Sequence, residues 1–228
     1  MKSIGILLAE DHAVVRQGLR RLIETEGDIE VIGEATTGRE AVNMTRNLHP
    51  EIVVMDVAMP ELNGIEATRQ ILKLFPGTKV LILSAHSDSE YVERAVKEGA
   101  LGYVVKQASS EIVAKAIHEL HKGKTFFTSA IAKHLHEDYQ KSPTGVGLRK
   151  KDGVQLTSRE TELLQMVAEG RVNKQMASEL GISIKTIEKH RQHLMEKLHI
   201  HDIAGLTRFA IATGIVESSI QSTVTQTV

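Results

Sequence analysis

Between residues 4 and 122, short apolar runs alternate with segments of helical periodicity. The runs are Ile4 to Ala9, Glu30 to Ala35, Ile52 to Asp56, Val80 to Ser84 and Gly102 to Lys106. Short strands separated by stretches long enough for a crossover helix suit a parallel sheet covered on both faces. The pattern therefore predicts an α/β doubly wound five-stranded parallel sheet. Its helix candidates include His12 to Thr25, with Val15, Leu19, Leu22 and Ile23 on one face. Two others are Ser89 to Glu98, behind the capping-box pattern Ser87-Asp88-Ser89-Glu90, and Ser110 to Lys122.

Beyond Gly123 the strand pattern stops. Residues 123–152 read as a linker that carries one more helix over 126–139 and then the turn-rich run Lys141-Ser142-Pro143-Thr144-Gly145-Val146-Gly147. Residues 153–216 read as an all-α domain of four short helices, broken near Gly170, Gly181 and His201. Residues 217–228 are mostly Ser, Thr and Gln and are expected to be a disordered tail. A chain of 228 residues is long enough for two such cores.

Composition narrows the chemistry. The chain has no cysteine, which excludes disulfides, thiolate metal sites and a thiol nucleophile. No run approaches the roughly 18 apolar residues of a membrane span, and the Ile4 to Ala9 run leads straight into Glu10 and Asp11, so a cytoplasmic protein without a membrane partner is expected. Residues 1–122 carry 14 Lys and Arg against 18 Asp and Glu; residues 149–216 carry 11 against 8. An acidic front and a basic back imply different partners.

In an open parallel sheet, ligands bind beyond the carboxyl ends of the strands. The polar residues there are Glu10 and Asp11 after the first strand, Asp56 ending the third, Ser84 ending the fourth and Lys106 ending the fifth. Three carboxylates in one crevice repel one another unless a hard cation such as Mg²⁺ (or Mn²⁺) sits among them. A carboxylate is also a nucleophile toward phosphorus, and a lysine with a divalent ion neutralises a transferring phosphoryl group.

This region resembles the receiver domain of two-component response regulators. The likeness rests on Glu10-Asp11, Asp56 followed by Met59-Pro60 and Asn63-Gly64, Ser84-Ala85, and Tyr103 with Lys106. It implies that a sensor histidine kinase phosphorylates Asp56, and that Glu10, Asp11, Asp56 and the Ala58 backbone carbonyl hold Mg²⁺. It further implies that Lys106 pairs with the phosphate, beside Ala85, and that Ser84 and Tyr103 act as switches. In that scheme the phosphate draws the Ser84 hydroxyl inward and opens room for Tyr103 to turn in. Gln107 stands where many receivers have proline, so no cis peptide is implied there.

In the helical domain, Thr157 and Glu160 have capping-box spacing before the apolar stripe Leu163, Leu164 and Val167. Asn173 to Leu180, a turn at Gly181, and a helix capped by Ser183 and running to Leu198 follow. On that helix Ile184, Ile187, Leu194 and Leu198 share the inward face, which leaves Lys185, Glu188, Lys189 and Gln192 outward. The stretch resembles the LuxR-type helix-turn-helix of the NarL/FixJ regulators through Leu156-Thr157-x-Arg159-Glu160, Asn173-Lys174, and Thr186-Ile187-Glu188-Lys189-His190 with Lys197-Leu198. The resemblance implies binding to double-stranded promoter DNA. Lys185, Lys189 and Gln192 are assigned to base or phosphate contacts, and Asn173, Lys174, Thr186 and Arg191 to the backbone. Glu188 replaces a lysine common in the family and is suited to accept from cytosine. The helix from Asp202 to Thr213 is implied as a dimer surface, with a homodimer forming on phosphorylation and RNA polymerase as a further partner.

Two other readings compete. A phosphohydrolase using Asp56 would want an acid two positions on, where Ala58 sits. A DNA-binding scaffold with a silent pocket would not need Glu10, Asp11, Asp56, Ser84 and Lys106 together. The reading is a transcription regulator and not an enzyme. Metal binding at His134-x-His136 or His199-x-His201 is disfavoured, because a spacing of two does not place both rings on one helical face.

Overall fold

A computed structural model describes residues 3–85, 89–128, 131 and 154–217. The chain divides into two compact units, Met1–Lys151 and Asp152–Val228. The remainder of the expected 126–139 helix, His134 and His136, the turn-rich run, the tail from 218 and the cap at Ser87 and Asp88 lie outside the described residues.

The first unit contains β1 (Ile4–Ala9), α1 (Ala13–Glu24), β2 (Ile29–Ala35), α2 (Gly38–Leu48), β3 (Ile52–Asp56) and α3 (Gly64–Leu74). These are followed by β4 (Lys79–Ser84), α4 (Ser89–Lys97), β5 (Gly102–Val105), α5 (Ser110–His121) and β6 (Phe126–Phe127). Every pairing is parallel, in the order β2-β1-β3-β4-β5-β6. Because side chains alternate along a strand, successive residues feed two apolar layers. Leu7, Val53, Met55 and Ile82 pack on one face, while Ile6, Leu8, Ile52, Val54 and Leu81 pack on the other against Ile117 and Leu120 of α5.

The sheet has six strands rather than five. Phe126 and Phe127, placed by sequence at the start of a helix, instead pair with Gly102 and Tyr103. The positive-φ turn at Gly123 sends the chain back along the sheet, where β5 offers an open edge of backbone donors and acceptors. Two residues are too few to show an alternation in sequence.

The expected inner face of α1 is also rotated. Ile23 is buried, but Val15 and Leu22 are 38% and 46% exposed. Arg16 explains the turn: its Nη1 donates to the Glu10 carbonyl at 2.7 Å and its Nε to Glu34 at 3.0 Å. Those bonds bring the Arg16 and Ile23 side of the helix toward the sheet.

The second unit contains α6 (Ser158–Ala168), α7 (Asn173–Glu179), α8 (Ile184–Leu198) and α9 (Ile203–Ala212). The Thr157 capping box is formed, with the Glu160 carboxylate accepting from the Thr157 N–H at 2.7 Å. Lys197 reaches back to Glu160 at 2.6 Å and so joins the end of α8 to the start of α6. Leu163, Leu164, Val167, Met176, Ile187, Leu194, Leu198, Leu206 and Ala210 form its core. Ile184 does not join them: as the first helical residue it is 45% exposed. Among the described residues no helix is long and apolar enough to cross a membrane.

Candidate functional site

In this strand order the crevice lies where β1 and β3 run side by side, with Ala9 beside Met55. Glu10 follows β1 and Asp56 closes β3, and both are almost fully enclosed, at 1% and 2% exposure. Lys106 follows β5, and its N–H extends the ladder by donating to the Ser84 carbonyl at 2.7 Å. Its Nζ lies 2.7 Å from Glu10 Oε2 and 2.9 Å from Asp56 Oδ2. The predicted acids and lysine therefore meet in one pocket.

The electrostatics follow from that enclosure. Burial pushes the Asp56 carboxyl up to about 6; Lys106 pulls it down, Glu10 pushes it up, and a bond from the Ala58 backbone N–H pulls it down. Burial works against the Lys106 ammonium, but Asp56 and Glu10 outweigh it and hold the group above its ordinary value. Glu10 Oε2, Asp56 Oδ2 and Asp11 Oδ1 are all enclosed. Lys106 Nζ pairs with the first two, and His12 Nδ1 lies 2.7 Å from the third.

Ligand atoms of Glu10, Asp11, His12 and Asp56 lie within 4.8 Å of one another. Three carboxylates grouped at that spacing form an oxygen donor set that fits a small divalent cation. His12 was not foreseen as a member of the group. Its sequence signal is its position directly after the acidic pair, where the turn into α1 brings its ring back over the strand ends.

The loop after Asp56 is held by its own backbone. Gly64 N–H donates to the Val57 carbonyl at 2.9 Å, and Asn63 caps α3 by accepting from Glu66 N–H. Ser84 is buried and Ala85 exposed. Tyr103 departs from expectation: its side chain is already enclosed, at 0% exposure, within the layer that includes Val92 and Ala95 of α4. Phe127, which pairs with Tyr103 in the sheet, packs against the same apolar layer. Ile131 belongs to the same apolar layer.

In the second unit Lys174, Lys185, Glu188, Lys189 and Gln192 are exposed, as a contact surface requires. Ser183 caps α8 by accepting from Thr186 N–H at 3.1 Å and shares a hydrogen bond with the Thr186 hydroxyl. Arg191 donates to Asn173, so two residues assigned to the DNA backbone are paired with each other in the free protein. Gln192 donates to Glu196 at 2.9 Å. Asn173, Glu188, Arg191 and Gln192 line one shallow groove with Met195.

Comparison with known proteins matches the response regulator receiver domain family over residues 6–118 and the bacterial regulatory proteins, luxR family, over residues 154–210. The transcriptional regulatory protein YhcZ of Bacillus subtilis (strain 168) is 38% identical over 90% of this chain and 94% of its own length. The oxygen regulatory protein NreC of Staphylococcus carnosus (strain TM300) is 32% identical over 93% of this chain and 99% of its own. Among solved structures, the two-component response regulator RcsB in complex with DNA matches at 25% identity with a TM-score of 0.56, covering 91% of this chain and 98% of that one. The chain belongs to the two-component response regulators of the NarL/FixJ type, non-enzymatic transcription regulators that join a receiver domain to a LuxR-type DNA-binding domain.

Proposed function

We propose that Asp56 accepts a phosphoryl group from a sensor histidine kinase, and that the aspartyl phosphate governs binding of promoter DNA by the second unit. The observation that carries this reading is the enclosed Asp56 carboxylate, 2.9 Å from Lys106 and grouped with Glu10 and Asp11. With its carboxyl near 6, Asp56 is largely ionised at neutral pH and able to attack. An Asp56 oxygen attacks phosphorus, the O–P bond forms as the P–N bond to the kinase histidine breaks, and the departing imidazole takes up a proton. Lys106 neutralises the arriving phosphoryl oxygens, and Ser84 stands at the neighbouring strand end to donate to one of them. Glu10, Asp11, Asp56 and the Ala58 carbonyl would hold a Mg²⁺ (or Mn²⁺) ion, which would supply further positive charge to the transferring group.

The exposed Lys174, Lys185, Glu188, Lys189 and Gln192 are the assigned DNA contacts, together with Thr186. Asn173 and Arg191 join them once their mutual bond opens. A phosphorylated homodimer presents two copies of α8 to paired half-sites at raised effective concentration. The reading places the protein in the cytoplasm, where a kinase and the promoter are both reachable, with RNA polymerase as a further partner.

Incubation of the full chain with Mg²⁺ and acetyl phosphate, followed by intact mass measurement, tests the first step. One added phosphoryl mass is expected on the wild type and none on Asp56→Ala. No gain on the wild type, or an equal gain on the variant, would overturn the assignment.

A further inference from the structure

We propose that Ile184 and Glu188 form a pyrimidine reader at the start of α8, with Ile184 packing on the C5 methyl of a thymine and Glu188 accepting from the N4 amino group of a cytosine. The inference rests on the reading of α8 as the helix that enters the major groove, and it names the bases selected there. Ile184 carries an apolar side chain suited to a core, yet as the first residue of the helix it is 45% exposed. Ile187, three residues on, takes the core position instead and is fully buried. The first turn is fixed by Ser183, which accepts from Thr186 N–H at 3.1 Å and shares a hydrogen bond with the Thr186 hydroxyl. An isoleucine held in water on a firmly started helix gains by covering its apolar area with a partner. Glu188 lies one turn further along the same side and is exposed. The two groups that could engage its carboxylate from the next turn are committed elsewhere: Arg191 donates to Asn173, and Gln192 to Glu196. The acid is left facing outward as an acceptor, with the exposed Lys185 and Lys189 beside it on the helix.

The base edges decide what each side chain can select. In the major groove the thymine methyl is the apolar group on offer, so a contact from Ile184 selects thymine. A carboxylate needs donors, and guanine and thymine present only acceptors there. Adenine sets its N6 donor beside the N7 acceptor, which repels the second carboxylate oxygen, whereas cytosine offers its N4 donor with no acceptor next to it. Glu188 is also repelled by phosphates, so it weakens binding at every site that gives it no amino group. Lys185 and Lys189 supply the positive charge that keeps DNA on this end of the helix. Residues one turn apart are ~6 Å apart along the helix axis, and base pairs stack at ~3.4 Å. The thymine and the cytosine therefore lie one or two base steps apart.

In the test the full chain, with and without acetyl phosphate and Mg²⁺, is mixed with duplexes of random central sequence, and the bound duplexes are sequenced. Wild type is expected to enrich a thymine and a cytosine one or two steps apart in each half-site, the cytosine ~5-fold or more over adenine. Glu188→Gln is expected to move that preference from cytosine to adenine, which glutamine contacts at N6 and N7, and to raise affinity for unselected duplexes because the phosphate repulsion is gone. Replacing the selected thymine by deoxyuridine removes only its methyl group. It is expected to weaken wild type ~4-fold, the value of one buried methyl, and to leave binding by Ile184→Ser unchanged. Retention of the cytosine preference by Glu188→Gln, or the same deoxyuridine effect on wild type and Ile184→Ser, would overturn the reader and leave the DNA-binding reading standing. A wild type that enriches no duplex in either state would overturn that reading itself, and the reader with it.

Discussion

Replacement of Gly64 by alanine is expected to destabilise the receiver unit by ~3 kcal/mol or more, the upper part of the range for overpacking. A Cβ at Gly64 would stand 1.8 Å from the Asp56 carbonyl oxygen and 3.0 Å from Met55 Cγ. The first of those atoms is backbone, in the strand that carries Asp56, and cannot swing aside as a flexible side chain would. The Gly64 N–H bond to Val57 holds the start of α3 directly behind the acceptor. The strain is therefore relieved only by moving Asp56 or the loop that follows it. Urea unfolding of the variant is expected to show the loss, and acetyl phosphate labelling to fall with it. A stability change below about 0.5 kcal/mol would mean that α3 is not packed against Asp56 in this way.

Asp56→Asn is expected to gain stability relative to wild type as pH rises, in the presence of a chelator. The folded carboxyl lies near 6, above the roughly 3.9 of an unfolded aspartate. Between those values the folded state binds more protons than the unfolded state, so wild-type stability falls as pH rises through the window. Asparagine has no such proton to lose. The stability difference in favour of the variant is accordingly expected to grow by up to ~3 kcal/mol between pH 4 and pH 7, and to level off above it. Mg²⁺ is expected to close the gap, because it binds the ionised wild-type pocket more tightly. A difference independent of pH would show that Asp56 is not held in a desolvated pocket.

The parts of the fold that were legible in sequence are those where a short-range pattern has one physical solution. Apolar runs give the five long strands, Thr157 with Glu160 gives the start of α6, and Gly181, at positive φ, gives the turn before α8. The pocket was legible because its members fall at strand ends, which a parallel sheet must bring to one edge. What escaped depends on tertiary context. Phe126 and Phe127 become a strand only because β5 has a free edge. The rotation of α1 is set by Arg16 reaching a carbonyl and Glu34. Tyr103 is enclosed in an apolar layer with Val92 and Ala95 of α4, which no local pattern announces. The pairing of Arg191 with Asn173 spans two helices and leaves no local sequence trace.

Tyr103 also lies beside the last strand of the unit. Phe127 is its partner across the sheet, and Ile131 packs in the same layer.

The most direct measurement of the central claim is the affinity of the full chain for its promoter fragments, at fixed salt, with and without acetyl phosphate and Mg²⁺. Wild type is expected to bind ~10-fold or more tightly when phosphorylated, as dimer formation adds effective concentration, and Asp56→Ala is expected to show no response. Identical affinities in the presence and absence of phosphate on a wild type that carries the phosphoryl mass would contradict the account.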